Sequence, residues 1–490
     1  MPALRRCAIA LGFIVLIVAR CVISSAADQP KKDVKQPVFR AAAATSVITP
    51  AIGGDIIGGF SPAPSRHIHD ELNARCLVLD DGKTKVALVV CDLLGVHRLV
   101  SDEARRIIEE RSGIPKSHVM ISGTHTHSAS SALGIDRYVY EPEIDEYQKF
   151  VARRIADGVQ RCVNTLRPAE LAYGTVDVPE HVFNRRWFLR PGTMPENPFG
   201  KTDMVKMNPG AGNPNLVEPA GPTDPTVSFL SVREPGGKPI SVFAAYSLHY
   251  VGGVGGADVS ADYFGYFSER MKTLLTPERQ DPAFVAMMAN GTSGDINNID
   301  FRNPRGRKQP YEQIAYVADD VAAKVHSAMS GLTYKSELTL DARYSEPTIA
   351  WRRPDAEHLA WAKKILANPP EGKNAILPVS YAKRALALSE YPETGNLPVQ
   401  ALRIGDVCIG TMPCEVFCEI GLDFRKRSPI KNSFLVSLAH GYYGYLPTPR
   451  HHDLGGYETW LGTNRVERSA SEKFTKEVLR LAEELKEAAK

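Results

Sequence analysis

The stretch Val119-Met120-Ile121-Ser122-Gly123-Thr124-His125-Thr126-His127-Ser128 ends an apolar run in two histidines separated by one residue. The run reads as a buried strand, and α/β proteins place their chemistry at the ends of such strands. In an extended segment side chains at i and i+2 share a face, so His125 and His127 are expected to project together. Imidazole is the commonest metal ligand and the commonest general base near neutral pH. A His-x-His pair alone also occurs as ordinary polar loop residues. It gains meaning only if other ligand types sit on comparable strand ends.

Outward from that stretch, strand and helix signals alternate. The valine-rich run 85–90 reads as a buried central strand. A helix is expected over 101–113, with Ser101 as N-cap and Gly113 at its end. A long amphipathic helix is expected over 144–166. The runs 227–233 and 240–246 flank Pro235-Gly236-Gly237 as a hairpin. A helix over 263–275, a strand over 284–288 and helices over 314–329 and 356–367 continue the alternation. Strands are expected at 399–404 and 407–411, joined by Gly405-Asp406, and at 433–437, before a terminal amphipathic helix over 471–489. The Gly-, Pro- and Asn-rich segment 192–225 reads as one long loop of the kind that shapes a site. The fold class is α/β: a single large mixed α/β domain with a strand-end site and a C-terminal helix.

With 490 residues, 43% hydrophobic and 23% charged, the chain has the composition of an ordinary soluble globular protein. The formal net charge is +3, and Arg5, Arg6 and Arg20 lie in a leader, leaving 3 − 3 = 0. Nothing therefore points to nucleic acid as a partner. Residues 1–26 read as a signal peptide, with Arg5-Arg6 as its basic region and Ser24-Ser25-Ala26 as its cleavage site. Export to a periplasmic or extracellular space follows, with a membrane-anchored form as the alternative. The remaining divisions are a linker at 27–43, a globular domain at 44–466 and the C-terminal helix at 467–490. Cys76, Cys91, Cys162, Cys408, Cys414 and Cys418 lie outside the leader. Six in a chain this long make no disulfide framework, and they read as structural.

Four segments share one design, an apolar strand running into a polar or Gly-rich loop that bears a reactive side chain. They are Thr124-His125-Thr126-His127; Tyr246-Ser247-Leu248-His249 before Gly252-Gly253; Gly410-Thr411-Met412-Pro413-Cys414-Glu415; and Gly441-Tyr442-Tyr443-Gly444-Tyr445, with Tyr457-Glu458 beyond. Two imidazoles, a carboxylate and a phenolate oxygen make a reasonable shell for Zn²⁺, leaving a position for a water whose pKa falls toward neutrality. Each residue also has a plain reading. His249 fits a hydrogen-bonded core histidine, and Glu415 fits a helix N-terminus. The tyrosines fit core filling, and His451-His452, beside Arg450 and Asp453, read as solvated. A fifth segment, 290–300, holds Ser293, Asp295, Asn297 and Asp300. It reads first as a substrate-contacting loop, then as a plain turn, and only third as bearing a serine nucleophile. Its oxygens also suit a hard cation such as Ca²⁺ or Mg²⁺, without EF-hand spacing.

The ordered set Ile48-Thr49-Pro50, Gly58-Gly59, Thr124-His125-Thr126-His127-Ser128, Asn184-Arg185, His249, Gly294-Asp295, Pro413-x-Glu415 and Tyr445…Tyr457-Glu458 resembles the neutral/alkaline non-lysosomal ceramidases. The resemblance runs from about Ala44 to Gly462. It implies one Zn²⁺ per chain held by His125, His249, Glu415 and Tyr445, and places Asp295 and Asn297 at the substrate. It implies hydrolysis of the N-acyl amide of ceramide or a related lipid by zinc-activated water. His127 then serves as proton shuttle, and Tyr457 with Arg185 stabilises the oxyanion. Such a lipid-like substrate is compatible with peripheral membrane contact.

Departures from the family pattern widen the choice of substrate. Gly294-Asp295-Ile296-Asn297 stands where the family has Gly-Asp-Val-Ser, which removes a serine associated with the ceramide head group. Ser128-Ala129-Ser130 replaces Ser-Gly-Pro, and Cys414 replaces a glycine. The family's C-terminal immunoglobulin-like domain is expected to be absent. The alternatives are a zinc hydrolase of a small non-ceramide amide, ester or lactone, and a non-catalytic lipid- or glycan-binding relative. Retention of all four ligand types with His127 and Tyr457 favours an enzyme.

Overall fold

The computed structural model describes residues 38–489 apart from Ser61, Ile135, Pro277, Arg307 and 373–375. The expected signal peptide and most of the expected linker lie outside the described residues. The first strand, Arg40–Val47, begins four residues before the expected start of the domain, because Ala41, Ala42 and Ala43 are small enough to be buried there.

Three mixed sheets carry the fold. The N-terminal sheet runs in the order Val119–Gly123, Lys85–Cys91, Asn73–Asp80, Arg40–Val47, Arg167–Pro168. The central sheet runs Val285–Asn290, Pro239–Tyr246, Thr226–Arg233, Glu170–Asp177, and the C-terminal sheet runs Leu340–Ser345, Val399–Ile404, Val407–Thr411, Asn432–Val436. Each contains antiparallel pairs and one parallel pair: Lys85–Cys91 with Val119–Gly123, Pro239–Tyr246 with Val285–Asn290, and Val407–Thr411 with Asn432–Val436. Inner faces from all three sheets merge in one apolar cluster, where Leu88 and Met120 meet Phe243 and Met287, and Ile409 and Phe434. Strands covered on both faces read as continuous apolar runs, which is why 85–90 was legible.

Helices cover the outer faces. Arg98–Ser112 and Glu146–Asn164 pack on the first sheet, Asp262–Leu275 and Glu312–Ala328 on the second, and Cys418–Arg427 and Ala470–Glu487 on the third. Asp145 and Gln148 form a capping box at the start of Glu146–Asn164. The helix expected from Ser101 starts three residues earlier: His97 accepts from the Leu99 amide as N-cap, and Ser101 is buried inside the helix. The segment 192–225 is not a single loop, since Val205–Met207 and Leu216–Pro219 flank Arg186–Leu189 in a three-stranded sheet. Ile376–Ser389 is a helix that Pro378 conceals in sequence, yet Pro378 falls in the first turn, where its missing N–H has no intrahelical partner to lose. Cys76, Cys91, Cys162, Cys408, Cys414 and Cys418 are all buried and free. Among the described residues, no helix is long and apolar enough to cross a membrane.

Candidate metal centre

The three parallel pairs converge at their C-terminal ends, and each supplies one donor and one group that orients it. His125 follows Val119–Gly123, and its Nδ1 lies 2.8 Å from the Leu94 carbonyl, just beyond Lys85–Cys91. His249 follows Pro239–Tyr246, and its Nδ1 lies 3.1 Å from the Ser293 carbonyl, just beyond Val285–Asn290. Glu415 follows Val407–Thr411, and its Oε1 accepts at 2.8 Å from the hydroxyl of Tyr442, beyond Asn432–Val436. A carbonyl can only accept, so both histidines carry a proton on Nδ1 and turn Nε2 inward.

The inward atoms meet. Glu415 Oε2 is 3.1 Å from His125 Nε2 and 3.7 Å from His249 Nε2. Both His249 Nε2 and Glu415 Oε2 are buried without a hydrogen-bond partner, an expensive state for polar atoms unless something is meant to lie between them. Glu415–Val416 pairs in parallel with Tyr445–Leu446, which sets Tyr445 directly beside Glu415. His127 Nε2 lies 3.2 Å from His125 Nε2, so the donor nitrogens of His125, His127 and His249 all fall within 4.8 Å of one another.

The strand-end geometry differs from the expected one. The strand stops at Gly123, and His125 has φ 75°, left-handed rather than extended. Its amide bonds the Leu93 carbonyl at 2.9 Å, which turns the chain. A non-glycine residue held there is strained, a feature that clusters at functional sites. The two imidazoles still meet because the His127 ring stacks on Tyr250, centroids 3.7 Å apart, under the Gly58 backbone. A Cβ on Gly58 would lie 2.1 Å from the His127 carbonyl oxygen, so only glycine fits.

Burial, reinforced by Arg185 and the neighbouring rings, pushes the His249 imidazole well below its usual range. Burial, with His125 and Arg137, does the same to His127. For Glu415, burial alone would raise the carboxyl, but His125 and the Tyr445 hydroxyl outweigh it and hold the group below its usual range. Neutral imidazoles beside a carboxylate are the protonation states a divalent cation requires. These groups line a cavity of about 380 Å³, walled by Phe60, Tyr138, Arg185, Tyr457 and Trp460.

The family model for neutral/alkaline non-lysosomal ceramidase, N-terminal, matches residues 50–305. The chain belongs to this family. The fold is similar to that of the neutral ceramidase from Pseudomonas aeruginosa (TM-score 0.68, 16% identity, 92% of this chain and 75% of that one). It is equally similar to a ceramidase complexed with C2 (TM-score 0.67, 16% identity, 92% and 76%). As a neutral ceramidase family member, the chain is a ceramidase-like hydrolase with a candidate metal-binding cluster.

Other residues that the ceramidase resemblance nominated divide into two groups. Arg185 and Tyr457 stand on the cavity wall with His125, His127, His249, Glu415 and Tyr445. Asp295 and Asn297 do not. The buried Asp295 carboxylate accepts from the Cys418 amide at 2.8 Å and from Asn184 at 2.9 Å, and burial pushes it up to about 6. Asn297 donates to Asn208 at 2.8 Å, and Asn208 is the residue that reaches the wall. Ser293 sits behind His249 on its Nδ1 side and donates to Asn290, away from the cavity. The oxygens of 290–300 do not gather: Asp300 caps the Arg302 and Asn303 amides, far in role from Asp295. His451, expected to be solvated, is buried against the hydroxyl of Thr448. A second group, His67, His69 and Asp258, brings donor atoms within 4.8 Å at the surface. Sequence reasoning missed Arg137, Tyr138, Arg384 and Arg465 on the wall, because they come from loops and a helix with no motif to mark them.

Proposed function

We propose that this chain is a zinc-dependent amidohydrolase that cleaves an N-acyl amide of ceramide or a related lipid. The carrying observation is the pair of partnerless buried atoms, His249 Nε2 and Glu415 Oε2, facing His125 Nε2. With the Tyr445 hydroxyl beside Glu415, the donor set suits the nitrogen and oxygen shell of zinc. Zinc, when bound, would polarise the scissile carbonyl and lower the pKa of the attacking water. His127, neutral and with its Nε2 turned toward the cluster, would take a proton from that water and return it to the leaving nitrogen. Tyr457, whose phenol burial pushes up to about 12, stays protonated and donates to the developing oxyanion. Arg185 stands on the same wall and adds positive charge. The apparent leader, outside the described residues, supports export.

His127 is the residue whose assignment most needs a test, since three imidazoles could form a metal site by themselves. Purified His127→Ala is expected to retain about one zinc per chain by atomic emission while losing about 100- to 10,000-fold in amide turnover. Loss of zinc from this variant would instead make His127 a ligand. Tyr457→Phe is expected to keep both fold and zinc and to lower kcat about 100- to 1,000-fold with little change in KM. An unchanged kcat removes Tyr457 from the reaction. Absence of metal from the wild-type protein, with no hydrolysis of short-chain ceramide or simpler acyl amides, would end the enzyme reading.

A further inference from the structure

Arginines are almost never fully buried unless paired. Among the described residues, the buried arginines are Arg75, Arg105, Arg185, Arg186, Arg384 and Arg465. Arg75 pairs with Asp92, Arg105 with Asp102, and Arg185 and Arg186 with Glu458. Among the described residues neither Arg384 nor Arg465 has a carboxylate within 4.0 Å, and both line the cavity beside the candidate metal centre. Arg137, half-buried on the same wall, also has none among the described residues. Both buried exceptions to the pairing rule therefore lie in one place.

The three guanidiniums surround one ring. They lie 5.7, 4.9 and 4.3 Å from the centroid of Tyr138 for Arg137, Arg384 and Arg465. Arg465 donates to the Arg137 carbonyl at 2.7 Å, but its buried Nε has no partner. The wall's own carboxylates are engaged elsewhere or lie at the rim: Asp203 accepts from Trp460, Glu415 faces the imidazoles, and Glu196 is exposed. Burial would raise the Tyr138 phenol, yet the three cations outweigh it and hold that group below its usual range.

We infer that the substrate carries an oxyanion, a carboxylate or phosphate, which docks against Arg137, Arg384 and Arg465 while its amide lies at the metal centre. This rests on the amidohydrolase reading above. The spacing follows from Tyr442, whose hydroxyl contacts Glu415 while its ring lies 5.9 Å from Arg137 and 5.5 Å from Arg465. One tyrosine ring thus separates the two sites, so the anion is a few bonds from the amide. Guanidinium forks match carboxylate and phosphate oxygens in pairs. A neutral sphingoid head group would cover the same three cations without neutralising any of them, which costs affinity.

The test uses the zinc-loaded protein and a matched series: N-lauroylglycine, N-lauroyl-phosphoethanolamine, and the neutral N-lauroylglycinamide and N-lauroylethanolamine. Binding is measured separately by calorimetry with ketone isosteres of the glycine pair, in which a methylene replaces the amide nitrogen. We expect kcat/KM for at least one anionic amide to exceed its neutral twin by about 10- to 100-fold, as for hydrogen bonds to charged groups. The better of the two anions identifies the group. Arg384→Gln should shrink that ratio mainly through KM, and Arg384→Lys should restore part of it. Equal rates, or a preference for the neutral amides, would overturn the inference while leaving the amidohydrolase reading intact. If no amide is hydrolysed, the amidohydrolase reading fails, and the isosteres decide: tighter binding of the keto acid, lost in Arg384→Gln, supports the anion site, and equal binding removes it.

Discussion

His125→Ala is expected to strip the metal and abolish turnover together, the largest functional effect of any single change in the site. His125 Nε2 faces Glu415 Oε2 at 3.1 Å and His127 Nε2 at 3.2 Å, so it stands at the middle of the donor cluster. Removing an outer group that merely orients a ligand costs about 10- to 100-fold in metal affinity, and removing a central ligand should cost more. Emission spectroscopy on dialysed protein should find well under one zinc per chain, and activity should fall to background. Alanine also strains the backbone, because position 125 has φ 75°. His125→Asn separates the two effects, since asparagine tolerates that conformation better. If His125→Asn retains full zinc occupancy, the cluster is not the metal centre.

Why this site was partly legible in sequence follows from the sheets. Strands buried on both faces must be continuous apolar runs, and the loops after them must be polar or glycine-rich, so His125, His249 and Glu415 were each marked by a visible transition. The repeated layout could not be seen, because nothing in sequence tells that the Leu94 and Ser293 carbonyls and the Tyr442 hydroxyl stand behind those donors. Backbone carbonyls carry no side-chain signature. Asp295 shows the converse, a residue marked in sequence that the fold sets behind the cavity wall. A carboxylate in a turn-rich segment looks available, but its actual partners, Asn184 and the Cys418 amide, are more than 100 residues away in each direction, at separations of 111 and 123. The extended-strand argument for His125 and His127 reached the right neighbours by the wrong geometry, because a hydrogen bond to Leu93 overrides the strand. Helix Ile376–Ser389 was lost to Pro378, although it is this helix that brings Arg384 to the cavity.

Glu458 is expected to be the residue on which the stability of this wall depends most. Its carboxylate is fully buried, 3.2 Å from Arg185 Nε and 2.7 Å from an Arg186 guanidinium nitrogen. Arg186 is fully buried too, with its remaining bonds going to the Gly455 and His451 carbonyls. Glu458→Ala would leave two guanidiniums in the interior with no counter-charge. Breaking a buried pair by removing one partner costs about 3–5 kcal/mol, a large share of a net stability of about 5–15 kcal/mol. Denaturant titration should show a clear fall in midpoint. Arg185 would also lose one of its two anchors, keeping the Gly294 carbonyl at 2.7 Å, so folded Glu458→Ala should turn over slowly even when zinc is bound. Removing Arg186 together with Glu458, with methionine at both positions, relieves part of the penalty because fewer charges are stranded. A Glu458→Ala loss below about 1 kcal/mol would mean that water reaches these arginines.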